Sequence, residues 1–293
     1  MEKIYQAIII GGGVGGLMAA RYLDDSLLIE RKENIGDGPV RTGEGISYTA
    51  LKMNNIELNP KWVSCEINAI LRIAPNGKAM GGFKEGPYAY TINRLAFEKF
   101  LASESKAEII LNNFVTDLKF NENYWEVKTK TEKIYKAKYI IGADGANSIV
   151  RRKVFNEDIK LIGGLQYLMK FGKIIETNIA KIYLDNEKFL RGYAWLFPKS
   201  ENTANVGICC NNNLQENFDY FIKNIIKPNY GDYEILENRS GVIPKSGVCA
   251  KVFKDNAFLI GDAAGLTDPI FEGGMSQAML SAGIAAQCIL DKK

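Results

Sequence analysis

The stretch Ile8-Ile9-Ile10-Gly11-Gly12-Gly13-Val14-Gly15-Gly16 is followed, one helix length later, by Leu27-Leu28-Ile29-Glu30. Three isoleucines ahead of a glycine cluster predict a buried parallel strand entering a tight turn, and the second apolar run predicts the next strand of a βαβ unit. Gly11 permits the turn, Gly13 lets backbone approach a pyrophosphate, and Gly16 lets the helix pack closely on the strand. The phosphates of a dinucleotide would then meet the positive end of that helix. Glu30 stands 19 residues after Gly11, near the spacing at which a carboxylate accepts hydrogen bonds from ribose hydroxyls and repels a 2'-phosphate. A plain glycine-rich turn is the competing reading, and the flanking strands with their terminal acid weigh against it.

The rest of the composition narrows the class. At 293 residues, 46% hydrophobic and 24% charged, the chain has room for one large or two moderate domains. A net charge of +3, with lysines scattered among acids, predicts no nucleic-acid partner. The five cysteines, Cys65, Cys209, Cys210, Cys249 and Cys288, lack metal-ligand spacing and are odd in number, which predicts reduced packing thiols in a cytoplasmic protein. Histidine is absent, so a proton donor must be Tyr, Lys, Glu, Asp, Cys, water or a cofactor, and metal catalysis is disfavoured. Residues 4–23 place an apolar run after a basic residue, as a signal peptide or anchor would, but glycines and Arg21 interrupt it. No later stretch offers ~20 uninterrupted apolar residues, so no transmembrane helix is expected.

Downstream, Gly36-Asp37-Gly38-Pro39-Val40-Arg41-Thr42-Gly43-Glu44-Gly45 is a glycine-rich loop able to lie flat on a ligand. Arg41 would neutralise a phosphate there, or be one solvated arginine of a surface loop. From Val63 to Tyr90 the pattern is β-like, with apolar runs such as Ile67 to Ile73 around the Pro75-Asn76-Gly77 turn. A helix is expected over Asn93 to Leu101, and strands over Glu108 to Leu111 and Tyr124 to Thr129. Tyr139-Ile140-Ile141 then runs into Gly142-Ala143-Asp144-Gly145, a second strand and turn. Ala257 to Ile260 runs into Gly261-Asp262-Ala263-Ala264-Gly265, and a small-residue helix is expected from Met275 to Leu290. Between Arg152 and Lys251 the chain reads as mostly β, apart from a helical stretch over Asn217 to Ile226. The expected division is therefore a discontinuous cofactor-binding domain of residues 1–62, 93–153 and 251–293, and a substrate domain of 63–92 and 154–250.

Four motifs in order resemble the flavin-dependent reductase and hydroxylase superfamily built like para-hydroxybenzoate hydroxylase. They are Gly11-x-Gly13-x-x-Gly16 with Glu30, Arg94-x-x-Phe97-Glu98, Gly142-Ala143-Asp144-Gly145 through Ser148 and Arg151, and Gly261-Asp262 with Pro269. The resemblance implies an α/β fold: a Rossmann-type, glutathione reductase-like FAD domain with an inserted, mostly antiparallel β domain. It implies that Asp262 meets the ribityl and pyrophosphate region of FAD, that Asp144 contacts FAD and nicotinamide, and that Arg94 lies along the FAD. Arg31, beside Glu30, and Arg41 join that cofactor set, as do Gly261 and the backbone of Gly273, Gly274 and Met275 at the flavin pyrimidine edge. Within the superfamily, Tyr193-Ala194-Trp195-Leu196-Phe197-Pro198-Lys199, followed by Asn205-Val206-Gly207, is similar to the Tyr-x-Trp-x-Phe-Pro-Lys signature of geranylgeranyl reductases. Tyr193, Trp195 and Phe197 alternate on one face of a strand, either as an apolar wall for a long hydrocarbon or as ordinary core. Two departures stand out: Thr42 occupies a position where many prenyl reductases carry cysteine, and the late loop reads Glu272-Gly273-Gly274 rather than Gly-Glu-Gly.

The leading expectation is an FAD-dependent reductase of carbon–carbon double bonds in an apolar, prenyl-type substrate, with Tyr193, Trp195 and Glu44 as catalytic candidates. Proton delivery is open among Tyr193, Glu44 and water. An FAD monooxygenase and a flavoprotein electron carrier are the alternatives, because one fold supports all three. Electrons would come from NAD(P)H docking on the FAD domain or from a ferredoxin-like redox partner. Membrane contact is expected to be peripheral at most, because no strongly basic amphipathic helix is evident.

Overall fold

The structure, a computed structural model, describes residues 3–38, 43–83, 85–268 and 273–292. By internal packing the chain forms two compact units: Met1–Gly38, Leu95–Leu161 and Pro244–Lys293, and Pro39–Arg94 with Ile162–Ile243.

The first unit is built on a parallel ladder. Strand Ile4–Ile10 pairs with Ser26–Ile29 on one side and Ile134–Gly142 on the other, and these are flanked in turn by Glu108–Ile110 and Ala257–Leu259. The register places Ile29 beside Ile10, Ile10 beside Gly142, and Gly142 beside Leu259, so four strands finish at one edge. Strands buried on both faces need continuous apolar runs, and Ile8, Ile9, Leu27, Leu28, Ile140 and Ile141 are all buried. Helix Val14–Tyr22 follows the first strand, and helix Gly274–Leu290 packs against it. The small residues of the late helix allow that approach: a side chain at Gly15 would meet Ala278 Cβ at 3.3 Å. An antiparallel hairpin, Val115–Asn121 and Tyr124–Thr129, extends the sheet, and Trp125 Nε1 donates to Asp255 O at 2.8 Å.

The second unit is mainly antiparallel, as Arg152 to Lys251 suggested. Its seven-stranded sheet runs, in spatial order, Tyr233–Pro244, Leu161–Phe171, Thr203–Cys210, Tyr193–Pro198, Ile179–Tyr183, Ala69–Ile73 and Ala79–Met80. The Ile179–Tyr183 and Ala69–Ile73 strands are parallel, because the chain returns to the sheet after a long excursion. A helical segment from Leu214 to Tyr230 covers one face, where Phe218, Phe221 and Ile226 pack on Met169, Leu196 and Val206. A separate three-stranded sheet joins Gly45–Ser47, Ala89–Ile92 and Val63–Ile67, all antiparallel. The Ala69–Ile73 hairpin turns at Pro75-Asn76-Gly77, as the turn residues predicted, with Gly77 at φ +78°. All five cysteines are free thiols, four buried and Cys288 exposed. Among the described residues, no helix is long and apolar enough to cross a membrane.

Candidate active site

The first-unit residues expected to hold a dinucleotide follow strands that end at one edge. Gly11 has φ +105°, and a side chain there would meet Ala143 O at 2.5 Å, so the first and second strand turns lie backbone against backbone. At Gly16 a Cβ would lie 1.9 Å from Gly11 O, which makes alanine impossible without moving the turn. Glu30 is buried; Oε2 accepts from Gly12 N at 2.5 Å and Oε1 from Lys32 N at 2.9 Å. Its carboxylate retains acceptor capacity beyond those two bonds.

Asp144 follows the neighbouring strand. Its Oδ2 accepts from Ile149 N at 2.6 Å and Val150 N at 3.3 Å, while Oδ1 is buried without a hydrogen-bond partner. Burial lifts the carboxyl above the usual Asp range against the pull of Ser148 and the backbone amides. Arg151, also buried, ties this turn to the next: Nη2 donates to Ala146 O at 2.6 Å and Nη1 to Ala263 O at 3.0 Å. Asp262 lies in the 3-10 turn Gly261–Ala264 after the last parallel strand, and a side chain at Gly274 would come within 2.9 Å of Asp262 Oδ1. Gly273 caps the Gly274–Leu290 helix without a side-chain hydrogen bond, and Met275 is buried in the first turn. Arg31 is exposed. Arg41, Thr42, Pro269 and Glu272 lie outside the described residues.

These features fit a dinucleotide cofactor. The glycine cradle would be closed by any Cβ, an acid stands at the ribose position, and a buried carboxylate oxygen lacks a donor that a ligand hydroxyl would supply.

The second unit holds Arg94, Glu44 and the aromatic row. Tyr193 and Trp195 meet edge to face at 5.7 Å between ring centroids, and Trp195 stacks on Phe197 at 6.3 Å. Their cross-strand partners are small or short: Cys209, Gly207 and Asn205. A side chain at Gly207 would lie 2.4 Å from Trp195 Cζ2, so the indole lies directly on the neighbouring backbone. Trp195 Nε1 donates to Gln166 Oε1 at 3.0 Å inside the sheet. The early loop closes on the same row, since a Cβ at Gly43 would meet Phe197 at 2.7 Å.

Beside Gly43, Glu44 takes φ +61° and is buried. Its Oε2 accepts from Asn205 Nδ2 at 2.8 Å, Lys199 Nζ at 2.9 Å and Arg239 Nη1 at 3.1 Å; Oε1 accepts from Arg94 N at 2.9 Å. Lys199 also donates to Ile92 O, and Arg239 reaches Glu237 at 2.7 Å. Burial pushes the Glu44 carboxyl up, but Lys199, the Arg94 amide and Asn205 together hold it below the usual Glu range. Burial and the neighbouring Arg239 bring Lys199 below the usual lysine range despite Glu44. Lys199 was visible in the sequence only as the end of an aromatic motif. Asn205 was visible only as part of the segment following that motif, and Gln166 and Arg239 carried no signal of a site, because their partners lie on strands remote in sequence.

Residues 160–243, which contain the aromatic row, Lys199, Asn205 and Arg239, match the family described as geranylgeranyl reductase catalytic domain. The chain is 32% identical to digeranylgeranylglycerophospholipid reductase 2 of Methanococcoides burtonii, over 98% of its own length and 75% of that protein. This chain belongs to the geranylgeranyl reductase family. Another member, digeranylgeranylglycerophospholipid reductase of Methanosarcina acetivorans, is 31% identical over 98% of this chain and 75% of its own. A solved geranylgeranyl bacteriochlorophyll reductase-like protein from Thermoplasma acidophilum superposes with a TM-score of 0.86 at 27% identity, covering 99% of this chain and 79% of that one. A p-nitrophenol 4-monooxygenase from Pseudomonas putida shares the fold at a TM-score of 0.76 and 16% identity, over 100% of this chain and 81% of its own. The geranylgeranyl reductase-like chain is thus a flavoprotein oxidoreductase of an FAD-binding family, with the α/β architecture that the glycine turn implied.

Proposed function

We propose that this chain saturates carbon–carbon double bonds of a prenyl-bearing lipid, with a geranylgeranyl-bearing glycerophospholipid as the substrate class. The observation that carries the reading is the row Tyr193, Trp195 and Phe197, continuous on one strand and contained in the segment matched to the reductase catalytic domain. Rings in contact along a strand form an apolar wall of the kind an isoprenoid chain packs against, and the names of the relatives supply the lipid class.

The backbone of Gly11, Gly13 and Gly16 with Glu30, Asp144, Gly261 and Asp262 would hold FAD, and Arg31, Arg41 and Arg94 would serve its phosphates and edge. Once reduced by an external donor, bound FAD would supply a hydride to one alkene carbon, and a proton to the other would complete the saturation. The helix N-terminus at Gly273, Gly274 and Met275 would favour negative charge, by about 0.3–1 kcal/mol at an exposed helix end. Trp195 orients the row through Gln166. Glu44, ionised and held by two cations, positions the Gly43 backbone against Phe197; the proton comes from Tyr193 or water. NAD(P)H or a ferredoxin-like protein supplies the electrons, and turnover with each donor alone separates them.

The test is anaerobic. The FAD-loaded protein is reduced, its visible flavin band bleaches, and digeranylgeranylglycerophospholipid is added. Return of the band with lipid carrying extra pairs of hydrogens supports the reading. A band that returns only with air, or a product carrying oxygen, overturns it in favour of an electron carrier or a monooxygenase.

A further inference from the structure

The edge of the seven-stranded sheet carries two large apolar side chains that the fold leaves uncovered. Met80 and Phe83 are each 67% exposed, within a run of exposed residues from Pro75 to Phe83. Loose chain is not the cause, because the hairpin is ordered by its own bonds. Arg72 pairs with Met80 and Ile73 with Ala79, Ala69 forms a bridge to Phe83, and Ala74 N donates to Lys78 O at 2.9 Å. Gly77 N donates to Ala74 O at 2.9 Å, and Lys78 N to Asn76 Oδ1 at 3.0 Å. Gly81 has φ +143°, and a Cβ there would lie 2.2 Å from Ile70 O. The backbone between the two apolar residues is therefore pressed onto the neighbouring strand, which fixes where both side chains project.

Their placement identifies the occupant. Cross-strand partners share a face, so Met80 lies on the face of Arg72 and Phe83 on that of Ala69, which is the opposite one. A protein partner laid on the sheet covers one face, whereas an edge dipped into a lipid layer has apolar surroundings on both. Charge agrees at the tip: Lys78 is exposed, and residues 69–83 contain no acid. An exposed basic residue beside large exposed apolar ones is the composition of a shallow anchor in an anionic leaflet.

We infer that the Ala69–Phe83 hairpin is a membrane-docking edge, inserting Met80 and Phe83 into the surface of an anionic bilayer while Lys78 at its tip meets lipid phosphate. The choice of a bilayer rests on the prenyl-lipid reading, because a lipid substrate must be reached in the layer that holds it.

The test uses the full chain loaded with FAD and sedimented with vesicles of equimolar phosphatidylglycerol and phosphatidylcholine, or of phosphatidylcholine alone. Binding is expected to the anionic vesicles, weakening with salt. Met80→Ser with Phe83→Ser is expected to reduce partitioning by about tenfold or more, and Lys78→Glu by about tenfold on anionic vesicles only. Reoxidation of the reduced flavin by detergent-dispersed prenyl lipid is read in parallel and is expected to be unchanged in these variants. The proposal is overturned if the wild type stays in the supernatant, or if the double variant binds as the wild type does. It is also overturned if sedimentation velocity shows the double variant dissociating a dimer, which would make the edge a contact between copies. Failure of the lipid to reoxidise any flavin, with vesicle binding still dependent on Met80 and Phe83, removes the reductase reading and leaves the docking edge standing.

Discussion

Replacing Glu44 by glutamine separates an ionic anchor from a proton donor. The side chain is 3% exposed and receives Lys199 at 2.9 Å, Arg239 at 3.1 Å and Asn205 at 2.8 Å on one oxygen. Glutamine keeps the volume and can still accept from Arg94 N, but its amide group turns a donor toward three donors, or else leaves Arg94 N unmatched. Removing one partner of a buried ion pair costs about 3–5 kcal/mol. The lower end applies here, because Arg239 keeps Glu237 at 2.7 Å and only Lys199 loses its sole carboxylate in the cluster. A cost of about 3 kcal/mol is a factor of roughly 100 in the local opening equilibrium.

Native-state hydrogen exchange reads that factor directly, since Ile92 N donates to Glu44 O at 2.9 Å and Arg94 N to its Oε1 at 2.9 Å. Both amides are expected to exchange about 100-fold faster in Glu44→Gln, while the amide of Val127, in the other unit, is unchanged. The gap depends on pH with a definite sign. A carboxyl held below its ordinary value of 4.5 contributes stability that is complete above that value and is lost as the pH falls through the folded pKa. Wild type and variant are therefore expected to differ by a constant amount from neutral pH down to the ordinary Glu range and to converge below it. Acceleration of less than about fivefold, under ~1 kcal/mol, would falsify the anchoring role. Turnover abolished with exchange unaltered would return Glu44 to the position of proton donor.

Three further outcomes test the remaining site. Gly16→Ala is expected to lose bound flavin, measured as the absorbance ratio of the purified protein, because its Cβ would lie 1.9 Å from Gly11 O. Trp195→Phe strands the buried Gln166 Oε1 and is expected to cost about 1–3 kcal/mol in urea unfolding. Adding Gln166→Leu is expected to restore part of that loss, and strict additivity of the two changes would show the bond to be idle. Asp144→Asn is expected to stabilise the FAD-free protein at neutral pH. A carboxyl whose folded pKa is raised contributes stability below its ordinary value of 3.8 that is lost as the pH rises through the folded pKa, so the gain shrinks on acidification. A gain that does not vary with pH, followed by thermal unfolding, would assign the effect to something other than ionisation.

The parts of the fold set by local chemistry were legible before the coordinates. Ile8 to Ile10 read as a buried parallel strand over the alternative of an anchor segment, Glu30 ended its neighbour, and the strands ahead of Asp144 and Asp262 followed the same apolar-then-glycine grammar. Tyr193, Trp195 and Phe197 announced a shared face by alternation. The polar half of the second unit was legible only in pieces: Glu44, Arg94, Lys199 and Asn205 were each singled out, but their meeting with one another and with Gln166 and Arg239 depends on sheet register. Arg239 shows the limit: it lies in a strand whose neighbours are mostly exposed, and nothing in Glu237-Asn238-Arg239 marks the one side chain that turns inward. Glu44 carried the opposite difficulty. A carboxylate in a glycine-rich loop reads as a chemical group on offer, whereas burial among cations commits it to structure.

That commitment bears on which end of an amphiphile the second unit could take. The strand Tyr193–Pro198 passes from three rings in contact to Lys199, and in register from Cys209 and Gly207 to Asn205, so it runs from apolar to ionic within a few residues. Such a gradient invites a phosphate at its polar end. The charges there are already balanced, however: Lys199 and Arg239 stand against Glu44 and Glu237, and both cations donate to Glu44. A phosphate could enter only by displacing that carboxylate, leaving Glu44 buried beside a second anion and unpairing the Arg94 amide. The gradient therefore fits recognition of the hydrocarbon by the rings, with the ionic cluster serving as the stop that holds Gly43 over Phe197. In that arrangement, adding prenyl lipid should slow exchange at Ile92; a lipid phosphate that took the Glu44 position would speed it.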